Sequence, residues 1–327
     1  MVVSSAQCRA GSHLQGLPGA ISSPRITCGR RSDAPGRFSV PQDKNPKINT
    51  FVLTLSCLDR AGIVAAVSSD IARMGGNIIE SAQHRDAEVN QFFMRIAFET
   101  AADAPTLSYG LRDTIAHYDI AHELIDASRK PRIIIMVSKF DHAMLHLLYQ
   151  IRVGWLNAEV VAVVSNHEDS RRTAETEGIP YHVLKVTKEN KVEKEAELYE
   201  LVETTCADLV VLARYMQVLS DDLSEKLAGK VINIHHSFLP SFKGSKPYHQ
   251  AFDRGVKLIG ATCHYVTADL DEGPIIEQET ERVTHAMTAE HYVATGRDIE
   301  SRVLARGVKL HVENRVMMNG HKTVVFS

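Results

Sequence analysis

Between residues 132 and 234 the chain repeats one pattern: a short, unbroken apolar run, then a longer stretch with apolar residues at helical spacing. The runs fall at 132–138, 159–166, 181–186, 208–212 and 231–234 and are rich in Val, Ile and Leu. A strand that is apolar at every position, not at every second one, must be covered on both faces. The pattern therefore predicts an α/β fold, with a parallel sheet sandwiched between helices. Ligands in such sheets sit outside the carboxyl ends of the strands, so chemistry is expected directly after each run. No Gly-x-Gly-x-x-Gly follows any of them, and the sequence offers no dinucleotide site.

Residues 48–127 follow a different grammar. A strand at 50–56 ends near Asp59, which suits a helix N-cap, and Ile63, Val64, Val67, Ile71 and Met74 then recur at helical spacing. Gly75-Gly76 stops that helix where a left-handed residue is needed. A strand at 77–84 follows, and then Phe92, Met94, Ile96 and Phe98 alternate with Phe93, Arg95 and Ala97, the period of a half-buried strand. Leu107, Leu111, Ile115 and Tyr118 mark a second helix. Strand, helix, strand, strand, helix is the ferredoxin-like unit without a visible last strand before the basic linker Ser128-Arg129-Lys130-Pro131.

At 327 residues, with 44% apolar and 24% charged residues, the chain has room for two ordinary globular domains. A net charge of -3 provides no field to gather nucleic acid or an anionic membrane, and no apolar run is long enough to span a bilayer. Five widely spaced cysteines, Cys8, Cys28, Cys57, Cys206 and Cys263, read as free thiols in a reducing compartment. Residues 1–40 carry Arg9, Arg25, Arg30, Arg31 and Arg37 against the single acid Asp33. That bias is expected of an organelle-targeting presequence over 1–45, cleaved in the mitochondrial matrix or plastid stroma; a tail without an address has the same composition.

The fifth apolar run ends in Asn233-Ile234-His235-His236-Ser237-Phe238-Leu239-Pro240. Strand alternation points Asn233 and His235 to one side, where a carboxamide can hold a developing oxyanion and an imidazole can move a proton. Some thirty residues on, a strand carrying His264 runs into an acidic loop closed by Gly273-Pro274, and Asp271 in that loop can orient His235. Taken singly, each residue has a plainer reading, since a chain with 16 histidines offers many chances and loop Asp is a turn former.

Together, Asn233, His235, the Ser237-x-Leu239-Pro240 that follows, His264, Val266 and Asp271 before Gly273-Pro274 resemble the folate-dependent formyltransferase family over 131–327. The resemblance implies a Rossmann-like, mostly parallel domain in which Asn233 polarises a formyl group, His235 is the acid/base, Asp271 organises proton movement and His264 lines the site. It also implies that Arg214, Tyr215, Met216 and Gln217, after the fourth run, contact the folate, although Tyr215 and Met216 equally fit core packing. Upstream, Cys57-Leu58-Asp59-Arg60-Ala61-Gly62 and Gly75-Gly76-Asn77 resemble the start of an ACT domain over 46–127. ACT domains commonly bind amino acids and pair, which implies a homo-oligomer and an effector near Asp59, Gly62 and Asn77; cap and turn chemistry is the weightier reading there.

Family members that formylate a phosphorylated amine carry a glycine-rich phosphate loop after the first strand. Here that place holds Ser138-Lys139-Phe140-Asp141-His142, without glycine and with an acid that repels phosphate. With the ACT-like part in front, the chain resembles the formyltetrahydrofolate deformylases. That resemblance implies hydrolysis of 10-formyltetrahydrofolate to formate and tetrahydrofolate, with no metal and no tightly bound cofactor. A transferase acting on a small amine would use the same residues, and an inactive amino-acid sensor would keep only the front part.

Overall fold

The computed structural model describes residues 48–237 and 247–327, all within one compact unit. The leader, Cys8, Cys28, Phe238, Leu239, Pro240, Ser245 and Lys246 lie outside the described residues. The first sheet is built by β1 (Asn49–Leu58), α1 (Ile63–Arg73), β2 (Asn77–Asp86), β3 (Gln91–Thr100), α2 (Ala104–Tyr118) and β4 (Ala121–Asp126). Its order is β2-β3-β1-β4, antiparallel throughout, which is the ferredoxin-like arrangement complete with its last strand. β4 escapes a reading by periodicity because it is an edge strand: its residues are exposed or half-buried, and it is held through its ladder to β1.

One face of this sheet packs Phe51, Leu53, Leu55, Met94, Ile96 and Phe98 against Ile63, Val67, Ile71, Leu107 and Leu111 of the helices. Each such buried side chain contributes about 1.5–3 kcal/mol. The opposite face corrects the half-buried reading of β3, since Phe93, Arg95 and Ala97 are buried as well. The C-terminal segment contributes to that cover: Arg95 donates to the carbonyls of Glu313 and Asn314 at 3.1–3.2 Å and pairs with Glu80 at 3.0 Å. Arg315 holds the same Glu80 at 2.7 Å.

Asp59 is not the helix cap. The position before α1 is Gly62, at φ +95°, where a Cβ would lie 2.7 Å from the Tyr118 hydroxyl. A chain turning this sharply out of β1 needs the left-handed region, which favours glycine. Asp59 instead pairs with Arg85 at 2.8 Å and donates its N–H to Asn90 O, tying this turn to the β2–β3 turn. Gly75, at φ +73°, follows α1 as expected of a helix stop.

The second sheet comprises β5 (Arg132–Val137), β6 (Glu159–Ser165), β7 (Tyr181–Val183), β8 (Leu209–Leu212), β9 (Val231–His235), β10 (Leu258–Tyr265) and β11 (Ile275–Arg282). The order is β11-β10-β9-β8-β5-β6-β7, parallel from β9 through β7, with β10 and β11 antiparallel. α3 (His142–Arg152), α4 (Arg171–Thr176), α5 (Lys191–Thr204), α6 (Asp221–Lys226), α7 (Pro247–Asp253) and α8 (Ala289–Val312) accompany it. Separate apolar clusters form on its two faces, one with α3, α7 and α8 and one with α5 and α6, so the unbroken apolar strands are covered on both sides. A hairpin of β12 (Val316–Asn319) and β13 (Lys322–Val325) ends the chain. Among the described residues no helix is long and apolar enough to cross a membrane, and Cys57 and Cys263 are buried free thiols.

Candidate active site

β9 delivers Asn233 and His235 at the carboxyl end of the sheet, and the antiparallel register of β10 sets His264 opposite Asn233. Asn233 Nδ2 lies 3.3 Å from His264 Nε2. His264 Nδ1 is 2.8 Å from the Tyr265 carbonyl, which only accepts, so Nδ1 carries the proton and Nε2 of the neutral ring accepts from the Asn233 amide. One Asn233 N–H is thus committed to His264 and the other is left for a ligand.

The loop after β10 folds back over the strand end. Tyr265 N–H donates to Pro274 O at 2.9 Å, and Gly273 passes so close that a Cβ there would lie 1.8 Å from Tyr265 O. This tight closure carries Asp271, at φ +56°, onto both histidines: its carboxylate is 3.1 Å from His235 Nδ1 and 3.6 Å from His264 Nε2. Burial alone would raise the Asp271 pKa, but the hydrogen bond from His235 and the nearness of both imidazoles outweigh it and hold the carboxyl well below the usual range. Asp271 is therefore a carboxylate that accepts Nδ1–H from His235. His235 is 5% exposed, and its Nε2 is buried with no hydrogen-bond partner among the described residues. An unpaired buried ring nitrogen is costly in a fold and useful in a proton-transfer site.

All eight residues that the sequence assigns to catalysis and folate contact line one cavity of about 260 Å³: Asn233, His235, His264, Asp271, Arg214, Tyr215, Met216 and Gln217. Their duties differ. Tyr215 belongs to the core as well as the wall: 7% exposed, it donates to Asn166 Oδ1 at 3.1 Å, and burial pushes its pKa up to about 12. Arg214, at φ +69°, turns its guanidinium toward Glu300, 3.2 Å away, although its Nε–H is not aligned for a hydrogen bond. Met216 is exposed and lies on the rim with Val218 and Leu270, also exposed. Sequence reasoning missed Leu270 as a wall of the cavity. Exposed apolar side chains gathered around a polar floor suit a flat ring system with a reactive polar substituent.

Asp59, Gly62 and Asn77 serve the fold in ways already visible: an ion pair between turns, a left-handed entry to α1, and the first residue of β2. Pro247 opens α7, in the first turn of a helix where a proline fits.

A formyl transferase family model matches residues 131–308. Formyltetrahydrofolate deformylase from Corynebacterium sp. (strain P-1) is 48% identical over 278 residues, covering 84% of this chain and 97% of the relative. The chain belongs to the formyltetrahydrofolate deformylase family. The Bacillus subtilis deformylase is 46% identical over 279 residues, with 84% of this chain and 93% of the relative covered. A crystal structure of the Burkholderia mallei deformylase superposes with a TM-score of 0.82 at 45% identity, over 85% of this chain and 100% of that one. Two sheets and the loop bearing Asp271 are thus features of a deformylase-family chain.

Proposed function

We propose that the chain hydrolyses 10-formyltetrahydrofolate to formate and tetrahydrofolate, with Asn233, His235 and Asp271 carrying the chemistry. One observation carries the mechanism: His235 has Nδ1 tied to the Asp271 carboxylate and a buried Nε2 without a partner among the described residues, in the cavity that Asn233 also lines. In that tautomer Nε2 is a general base. It takes a proton from water as the water oxygen attacks the formyl carbon, and Asp271 stabilises the imidazolium. The carbonyl oxygen becomes an oxyanion, held by the second Asn233 N–H. The C–N10 bond then breaks, N10 takes the proton from His235 and leaves as tetrahydrofolate, and formic acid ionises to formate.

The apolar rim of Met216, Val218 and Leu270 holds the ring system, with Tyr215 and Gln217 behind it. Folate is the substrate and no tightly bound cofactor enters these steps. The purified protein is expected to release formate from 10-formyltetrahydrofolate with no added amine; turnover that required an amine would replace hydrolysis by transfer. Loss of the amide donor in Asn233→Ala should lower turnover about 10²- to 10³-fold.

Residues 46–127 serve in this reading as an ACT-like regulatory unit that pairs with a second copy and takes an amino acid near Asp59, Gly62 and Asn77. Calorimetric titration with amino acids tests it, and absence of binding heat would count against it. Residues 1–45 are read as an address for the mitochondrial matrix or plastid stroma. A fluorescent protein fused behind them should enter an organelle, and a diffuse cytosolic signal would overturn the assignment.

A further inference from the structure

In the catalytic sheet the chain order reverses at β5, which has β8 on one side and β6 on the other. Connections leave its carboxyl end in opposite directions, so a crevice opens between the loop after β5 and the loop after β8. Those loops supply His142, the first residue of α3, and Arg214. Glu300 of α8 sits between them. Its Oε2 is 2.9 Å from His142 Nε2 and 3.2 Å from Arg214 Nε, and its Oε1 accepts from the Tyr248 hydroxyl at 2.7 Å.

Glu300 is 1% exposed. A buried carboxylate is costly unless it is fully paired. Here burial would raise its pKa, but the His142 hydrogen bond, the Arg214 charge and the Tyr248 hydroxyl hold it below the usual value. The three partners come from three different elements, and α8 is built to bring Glu300 to them. Tyr248 rests on Gly296, one turn before Glu300, where a Cβ would lie 2.2 Å from its ring. The Tyr248 ring faces His236, whose ring lies 5.0 Å from that of His235. Arg214 lines the same cavity as Asn233 and His235.

An imidazole, a guanidinium and a hydroxyl converging at the carboxyl end of β5 make a cradle for an anion, and the chain fills it from within. We propose that Glu300 is a positioning and specificity-determining residue, the internal anion that closes this side of the active site to anionic acceptors and leaves the formyl carbon to water. It also holds Arg214 in its left-handed conformation and so sets the wall formed by residues 214–219. This rests on the hydrolytic reading of Asn233, His235 and Asp271.

Glu300→Ala empties the cradle and leaves the catalytic residues in place, whereas Glu300→Gln keeps the shape and removes the charge. Acetate, the size of the deleted group, and inorganic phosphate are the probes, used on the full chain. Either anion is expected to raise the Tm of Glu300→Ala saturably and to leave the wild type unmoved. Formate release by Glu300→Ala should fall about ten-fold or more, chiefly through KM, and acetate should restore part of it. A folded Glu300→Ala whose Tm and turnover ignore both anions would overturn the proposal. If that variant does not fold, Glu300→Gln decides: a raised KM supports the proposal, and wild-type KM and kcat overturn it. The Tm shift is read without substrate, so a failed cradle is distinguishable from a failed hydrolytic reading.

Discussion

Among the described residues His235 is hydrogen-bonded on one side only, the asymmetry on which its proposed role as a base rests. Asp271 secures Nδ1 at 3.1 Å and Nε2 is left without a partner among the described residues. His235→Ala should therefore lower formate release about 10²- to 10⁴-fold, measured as kcat with 10-formyltetrahydrofolate alone. Asp271 has a depressed pKa in the fold, so its contribution to stability is present above the ordinary Asp value of about 4 and is lost as pH falls through the depressed one. The stability gap between the wild type and Asp271→Asn should thus narrow as pH drops below about 4, in urea melts at stepped pH. A gap that widened in acid would contradict this pairing. Asn233 and His235 were legible because strand alternation alone puts them on one side. The duty of Tyr215 was not, since a tyrosine at a strand–helix junction packs and lines a cavity by the same sequence.

One loop decides whether those side chains meet. The loop from Val266 to Pro274 closes on Gly273, where no Cβ fits against the Tyr265 carbonyl. Gly273→Ala is expected to push the loop, and Asp271 with it, off the histidines. Formate release should fall, and Tm should drop by about 2 °C or more per kcal/mol of strain in a chain of this size. Unchanged activity would mean that the loop can close without its glycine. In the first sheet, Gly62 turns the chain from β1 into α1 at φ +95°, and Gly62→Ala should destabilise by about 1 kcal/mol or more. The helix, its stop at Gly75 and the apolar faces were readable from spacing. Asp59 was misread as the cap because a capping residue and a turn acid look alike until the backbone angle shows which residue the turn needs.

On the scale of the molecule, the C-terminus bridges the two sheets. Arg95, 4% exposed, is met by two carbonyls from the end of α8 and by Glu80, which Arg315 also grips. Glu80→Ala leaves Arg95 buried without its carboxylate and should cost about 1–3 kcal/mol in chemical denaturation. His311 lies near this junction, its Nδ1 hydrogen-bonded with the Tyr265 hydroxyl at 2.7 Å, and faces a cavity of about 510 Å³ between the two sheets. It is half-buried by surface exposure because the cavity borders it, yet burial among its neighbours pushes its pKa down to about 4. A histidine kept neutral in the fold stabilises above its unfolded pKa of about 6.5, and that part is lost as pH falls toward 4. Tm should therefore decline over this window in the wild type and decline less in His311→Gln.

What the amino-acid order alone determined was local and periodic: parallel strands from unbroken apolar runs, a βαββα unit from its alternation, and the common side of Asn233 and His235 on their shared strand. Residues 138–142 already indicated that no phosphate loop stands after β5, and Asp141 looked like the cause. Only the tertiary structure showed Glu300, 158 residues from His142, placing a carboxylate there. It alone buried the second face of β3 and selected Gly62 over Asp59 as the helix entry. Periodicity reports what a residue asks of its own element; which distant element answers is settled by packing, where long-range contacts and buried charge must be satisfied together.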